Sequence, residues 1–341
     1  MMRDAEDYKL TLFDLPHEVL EQIFCRVSGK DIKLLSCVNR ECRDKVSFYL
    51  FRKIRGSWEQ LMELGDSKVS FDQKNYVRDI EITSAEAKYE YQTNALRRVL
   101  NLSVFPNVTG VSVNSNSLSF WLKNHDCPNI SVLLLYLASS SRGSEKLFHL
   151  SHVDLFSNLR KLYLSNYNFR WGQDDEVQPL SALQELNLYN CTWEYPFNLA
   201  RFNQHDTLTS LTITYSDDNT FVLLERYLDY LRTPFQGHLH SLRRVDLAFT
   251  HCRLYNGHLS PTVLYNFLEC FSGLEELKLR GWATNLESLR YVLLARDYED
   301  PFNLRIEVGY EDEKAIMLFL HQVKKHNLEV KVAIMDESDQ L

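Results

Sequence analysis

Residues capable of chemistry are present in the chain but do not assemble into a known site. Histidines gather at His238, His240, His251 and His258, yet their spacing matches no standard metal set and no cysteine pair stands beside them. The seven cysteines (25, 37, 42, 127, 191, 252 and 270) are odd in number, and most sit inside apolar patterns, as reduced core thiols do. The sequence has no G-x-S-x-G elbow, no phosphate-binding loop and no H-E-x-x-H. No catalytic residue, metal ligand or cofactor is therefore expected, and the chemistry left to the chain is recognition.

Bulk properties narrow the partners. The chain has 341 residues, 45% hydrophobic and 25% charged, with a formal net charge of -8. An acidic chain without a basic stripe is not expected to bind nucleic acid. No uncharged apolar stretch is long enough to span a bilayer. The polar, acidic start MMRDAEDYKL does not read as a secretory signal, so a cytoplasmic or nuclear location is expected.

One template organises most of the sequence: apolar, two variable, apolar, one variable, apolar. It reads Val77-x-x-Ile80-x-Ile82, then starts again at Val108, Ile130, Leu159, Leu183, Leu208, Leu242 and Leu274. The last two apolar residues stand two apart and so share one face of a strand. Helical apolar spacing appears between copies, at 221–231, 263–271, 286–294 and 315–323. Leu304, Ile306, Val308 and Leu328, Val330, Val332 are plain alternations, expected to be edge strands closing the array. A strand plus a helix cannot bury its apolar face alone, so neighbouring units must stack. The repeats resemble the leucine-rich-repeat family. The resemblance implies an α/β solenoid with parallel strands on a concave face and helices outside, covering residues 71–335 in about 8–10 units.

Residues 10–55 carry no such template. Leu15-Pro16 precedes a helix, Ser28-Gly29-Lys30 interrupts it, and Asp31 is expected to cap a second helix. A third helix is expected to carry Val46, Leu50, Phe51 and Ile54. Val19, Leu20, Ile23, Phe24 and Val27 spread over too wide an arc for one stripe, so part of that surface needs another cover. The pattern L-P-x-E-V-L-x-x-I-F-x-x-V, followed by D-I-x-x-L-x-x-V-N-R-x-x-R, resembles an F-box, with Cys42 standing where the family commonly has an aromatic.

That resemblance implies an all-α module docking on the Skp-family adaptor, and through it on the cullin and RING subunits of a ubiquitin ligase. It assigns Leu15, Pro16, Glu18, Leu20, Ile23, Phe24, Val27, Ile32, Leu35 and Val38 to the adaptor. The alternatives are an F-box protein with a non-proteolytic assembly role, or a plain repeat scaffold whose helices merely cap the solenoid. Residues 1–9 are expected to be a flexible start, 56–70 a helical linker and 336–341 an acidic tail.

A protein client is expected on the sheet face opposite the core, which alternation assigns to the residues between the template's apolar positions. Lys161, Tyr163, Glu185, Tyr189, Arg244, Asp246, Lys278 and Arg280 are the candidate contacts. Lys278 and Arg280 form a basic pair suited to an acidic or phosphorylated segment.

Overall fold

The structure is a computed structural model that describes residues 12–65, 72–83, 105–114, 129–137, 147–148, 153, 156–169, 180–193, 202, 206–215, 241–249, 265, 273–280, 286–294, 302–308, 313–324 and 328–334. The chain divides into two compact units, Met1–Gly110 and Val111–Leu341.

In the first unit a 3-10 turn (Leu12–Asp14) leads into α1 (His17–Phe24), α2 (Gly29–Ser36) and α3 (Arg40–Leu50). Pro16 stands at the N-cap of α1, and its carbonyl accepts from the Val19 and Leu20 amides. The cap of α2 is Ser28, not Asp31 as expected. Its Oγ accepts from the Asp31 amide at 3.2 Å and donates to the Asp31 carboxylate at 2.6 Å. Serine and the acid three residues later thus act as a reciprocal pair. Asn39 caps α3 by accepting from the Cys42 amide at 2.7 Å.

The third helix stops at Leu50. Ile54 belongs instead to β1 (Lys53–Gly56), which pairs in parallel with β2 (Asp79–Ile82). Glu81 on β2 bridges Lys53 at 2.9 Å and Arg55 at 3.2 Å. The segment expected as a helical linker supplies α4 (Trp58–Gly65), with Leu61 buried.

The second unit holds a parallel sheet of nine strands: β3 (Gly110–Asn114), β4 (Val132–Tyr136), β6 (Lys161–Ser165), β8 (Glu185–Tyr189), β10 (Ser210–Tyr215), β11 (Arg244–Phe249), β12 (Glu276–Arg280), β13 (Phe302–Val308) and β14 (Leu328–Ile334), in that spatial order. Eight template copies yield eight strands across the two units, and every described template residue is buried. The registers align copy on copy: Leu133, Leu162, Leu186, Leu211, Val245 and Leu277 stand side by side. The result is the α/β leucine-rich-repeat solenoid architecture that the template predicts.

Of the two closing alternations, β13 is internal, pairing with both β12 and β14; only β14 is an edge. The helix expected at 286–294 is α5 (Leu286–Leu294), and that at 315–323 is α6 (Glu313–Lys324). The helical patterns at 221–231 and 263–271 fall outside the described residues, apart from Tyr265. A second, three-stranded sheet was not expected: β5 (Leu147–Phe148), β7 (Asn168–Phe169) and β9 (Thr192–Trp193).

Asn166 and Asn190 turn the chain from β6 into β7 and from β8 into β9 with φ of 64° and 48°. Asparagine tolerates this left-handed backbone. Cys191 follows the second turn, fully buried, its thiol donating to the Leu164 carbonyl at 3.3 Å.

Candidate functional site

Two surfaces carry the residues assigned to partners. The first belongs to the helical module. Its core is Leu20, Phe24, Ile32 and Val46, with Phe13, Leu15, Val27, Leu35, Tyr49 and Leu50 packed against it. The Phe24 and Tyr49 rings lie 4.7 Å apart between centroids. Arg52, beyond α3, reaches back to Glu21 on α1 at 3.3 Å. The Arg43 guanidinium donates to the Ser36 carbonyl at 3.3 Å, tying α3 to the end of α2.

The residues assigned to the adaptor differ in exposure. Leu20, Phe24 and Ile32 are consumed by the module's own core, because three short helices have few other residues with which to close one. Leu15, Ile23, Val27 and Leu35 are half-buried. Pro16, Glu18 and Val38 are exposed, as an interface residue must be. Val19, one of the residues whose arc calls for another cover, is exposed, and so are Leu12 and Leu34, which sequence reasoning did not single out. Leu34 is 68% exposed and Val38 67%, high for aliphatic side chains in so small a module. The available signal was position: Leu34 lies off the Ile32–Leu35 stripe, so α2 has apolar residues on two faces.

The second surface is the solenoid sheet face opposite the core. It carries rows that run across the strands. One row reads Val132, Lys161, Glu185, Ser210, Arg244, Glu276; the next reads Leu134, Tyr163, Asn187, Thr212, Asp246, Lys278; a third reads Tyr136, Ser165, Tyr189, Thr214, Ala248, Arg280. All eight residues assigned to the client stand in these rows.

Lys161, Tyr163 and Glu185 form one cluster. The Lys161 ammonium lies 2.7 Å from the Glu185 carboxylate, the Tyr163 hydroxyl donates to it at 2.9 Å, and the Asn187 amide donates at 3.3 Å. Burial raises the Glu185 pKa, but these three donors outweigh it and leave the carboxyl below its ordinary value. Burial, then the bond to Glu185, pushes the Tyr163 phenol up to about 12. The basic pair is less available than its sequence suggests, since Lys278 stands 3.2 Å from Glu276 on its own strand.

Among the described residues, no group of three or more His, Cys, Asp and Glu could hold a metal ion, and no helix is long and apolar enough to cross a membrane. His238, His240, His251 and His258 lie outside the described residues. Burial pushes the Cys191 thiol up to about 12, the setting of a structural cysteine rather than a nucleophile.

Comparison with known proteins finds an F-box domain at residues 12–53. No curated protein matches the chain in sequence. Among solved structures the chain is similar to TLR13 in its complex with ssRNA13, with TM-score 0.44, 13% identity, and coverage of 84% of this chain and 36% of that one. It is also similar to the internalin InlF of Listeria monocytogenes str. 4b F2365, with TM-score 0.34, 13% identity, and coverage of 83% and 79%. The chain thus spans about a third of the first of these structures. The chain carries an F-box domain at residues 12–53 ahead of its array of parallel strands.

Proposed function

We propose that the chain is the substrate receptor of a cullin–RING ubiquitin ligase of the SCF type. The F-box module docks on a Skp-family adaptor in the cytoplasm or nucleus. The solenoid holds a client protein for ubiquitination and proteasomal degradation. The chain does no chemistry on this reading; it raises the local concentration of client at the ligase.

The observation that carries the reading is the pairing of an F-box at residues 12–53 with Leu34 and Val38 left in solvent after the module has closed its own core. Exposed aliphatic side chains on α2 (Leu34) and in the turn that follows it (Val38) suit a protein partner. The test is co-purification of the full chain with a Skp-family adaptor. Val38→Asp and Leu34→Asp are expected to abolish it while leaving circular dichroism and melting temperature unchanged. Retained binding in the double variant would reject this docking mode. Leu20→Asp is a poor probe, because it places a charge in the core and unfolds the module.

A further inference from the structure

The last strand of the second unit's sheet, β14, runs seven residues in unbroken register with β13 and pairs with no other described strand. Its outer edge can therefore take a further strand through main-chain hydrogen bonds. Sheet edges are ordinarily blunted by shortness, proline, a bulge or a charge without a mate. The sequence of β14, Leu328-Glu329-Val330-Lys331-Val332-Ala333-Ile334, has no proline, and its pairing has no break. Val330 stands beside Leu304, and Leu304 beside the buried Leu277, so Leu328, Val330 and Val332 share the core face. Glu329 and Lys331 take the other face.

Lys331 alone would guard the edge. Glu329, two positions away, makes the strand its own complement. In an antiparallel pair of two β14 strands centred on Val330, each Glu329 stands opposite Lys331 of the other copy, and each Leu328 opposite Val332. Within one chain the row from Lys331 continues through Arg305 to Lys278, like charges side by side, of which Lys278 is engaged by Glu276. A carboxylate on the open side of Lys331 relieves the outer end of that row.

The helix α6, which packs on both α5 and β14, carries a matching stripe. Ile316, Phe319 and Val323 form its buried face. Gln322 marks the side toward α5, its side-chain oxygen accepting from Arg290 at 2.8 Å. At about 100° per residue, the positions of Glu313, Met317, Leu320 and Lys324 form one line, roughly 170° round from Gln322 and so away from α5. Met317 is 63% exposed there, Lys324 is exposed and Leu320 half-buried. Run antiparallel against itself, this line sets Glu313 opposite Lys324 and Met317 opposite Leu320. A helix rises about 1.5 Å and a strand about 3.3 Å per residue, so the middle of the line stands roughly 8 Å from the end of α6, and Val330 roughly 7 Å from the start of β14. One two-fold axis can therefore serve both elements.

We infer that two copies of the chain associate through this edge, β14 on β14 and α6 on α6, about a two-fold axis. The contact uses none of the residues assigned to the adaptor, so it stands whether or not that docking occurs.

Sedimentation velocity of the full chain at rising concentration is expected to show a monomer–dimer equilibrium. Glu329→Lys and Lys331→Glu each set like charges opposite one another twice, and each is expected to weaken the dimer about tenfold or more. Mixing the two variants brings opposite charges together at both places and is expected to recover the dimer, as is the double swap in one chain. Met317→Glu, at an exposed position, is expected to weaken the dimer without lowering the melting temperature. Circular dichroism checks that each variant folds. A monomer at every concentration, single swaps that associate like the unaltered chain, a mixture no tighter than either variant alone, or association unmoved by Met317→Glu overturns the inference. Adaptor co-purification reads the proposed function separately, so the two can fail independently.

Discussion

At Cys191 burial decides both reactivity and the response to pH. The thiol is fully buried and its pKa is raised from 9.0 to about 12, with burial the largest cause and nearby backbone hydrogen bonds opposing it. In the unfolded chain the same thiol ionises near pH 9. The folded state therefore holds the proton where the unfolded state releases it. Its contribution to stability is complete below pH 9 and is lost as pH rises from 9 toward 12. Tyr163 adds to the same alkaline loss above pH 10, its phenol being held up to about 12. Denaturant midpoints measured from pH 8 to 11 are expected to fall steadily. A thiol-alkylating reagent at pH 8 is expected to label the exposed Cys25 and Cys37 and spare Cys191 until denaturant is added. Labelling of Cys191 at the rate of Cys37, read by mass spectrometry, would mean that the turn between β8 and β9 opens readily.

At the scale of elements, the module depends on its caps. Ser28 and Asn39 each satisfy an otherwise unpaired amide at the start of a short helix. Ser28→Ala and Asn39→Ala are each expected to cost about 1 kcal/mol. Leu20→Ala, which opens the core, should cost about 2–5 kcal/mol, whereas Leu34→Ala should be close to neutral. Thermal melts of the four variants check that order; a Leu34→Ala loss as large as that of Leu20→Ala would mean that α2 packs differently.

The same helices mark where the sequence stopped being legible. Strand positions were readable because a period of two around invariably buried residues admits one register. Module positions were less so: Leu20, Phe24 and Ile32 fit both a core and an interface by spacing, and their burial in the module comes from how three helices pack. Asp31 fits both a cap and a first-turn acid, and the Ser28 hydroxyl decides between them. The three short strands β5, β7 and β9 were missed although their signal was present. Asn166-Tyr167-Asn168-Phe169 and Asn190-Cys191-Thr192-Trp193 repeat an Asn and a buried residue at fixed offsets after the strand. On the sheet face alternation gave the right side of each strand, but the neutralising geometry of Glu185 and Glu276 depends on side-chain reach, which spacing does not encode.

At the scale of the whole solenoid unit, each strand pairs only with its two neighbours in the sheet order. Stability then accumulates from local units and the interfaces between them, rather than from one centre. Leu186 on β8 is buried and stands in register with Leu162 on β6 and Leu211 on β10. Leu186→Ala removes roughly 2–5 kcal/mol of packing at that one layer. Nearest-neighbour coupling means the loss should appear as faster amide hydrogen exchange in β6, β8 and β10. It should weaken outward and leave β13 and β14 nearly as protected as before. Exchange resolved by peptide over the full chain measures that gradient. A uniform increase across all nine strands would instead show that the array opens as one cooperative body. In that case β4–β8 and the charged stretch on β11–β12 would share one stability, whereas a gradient allows each to loosen on its own.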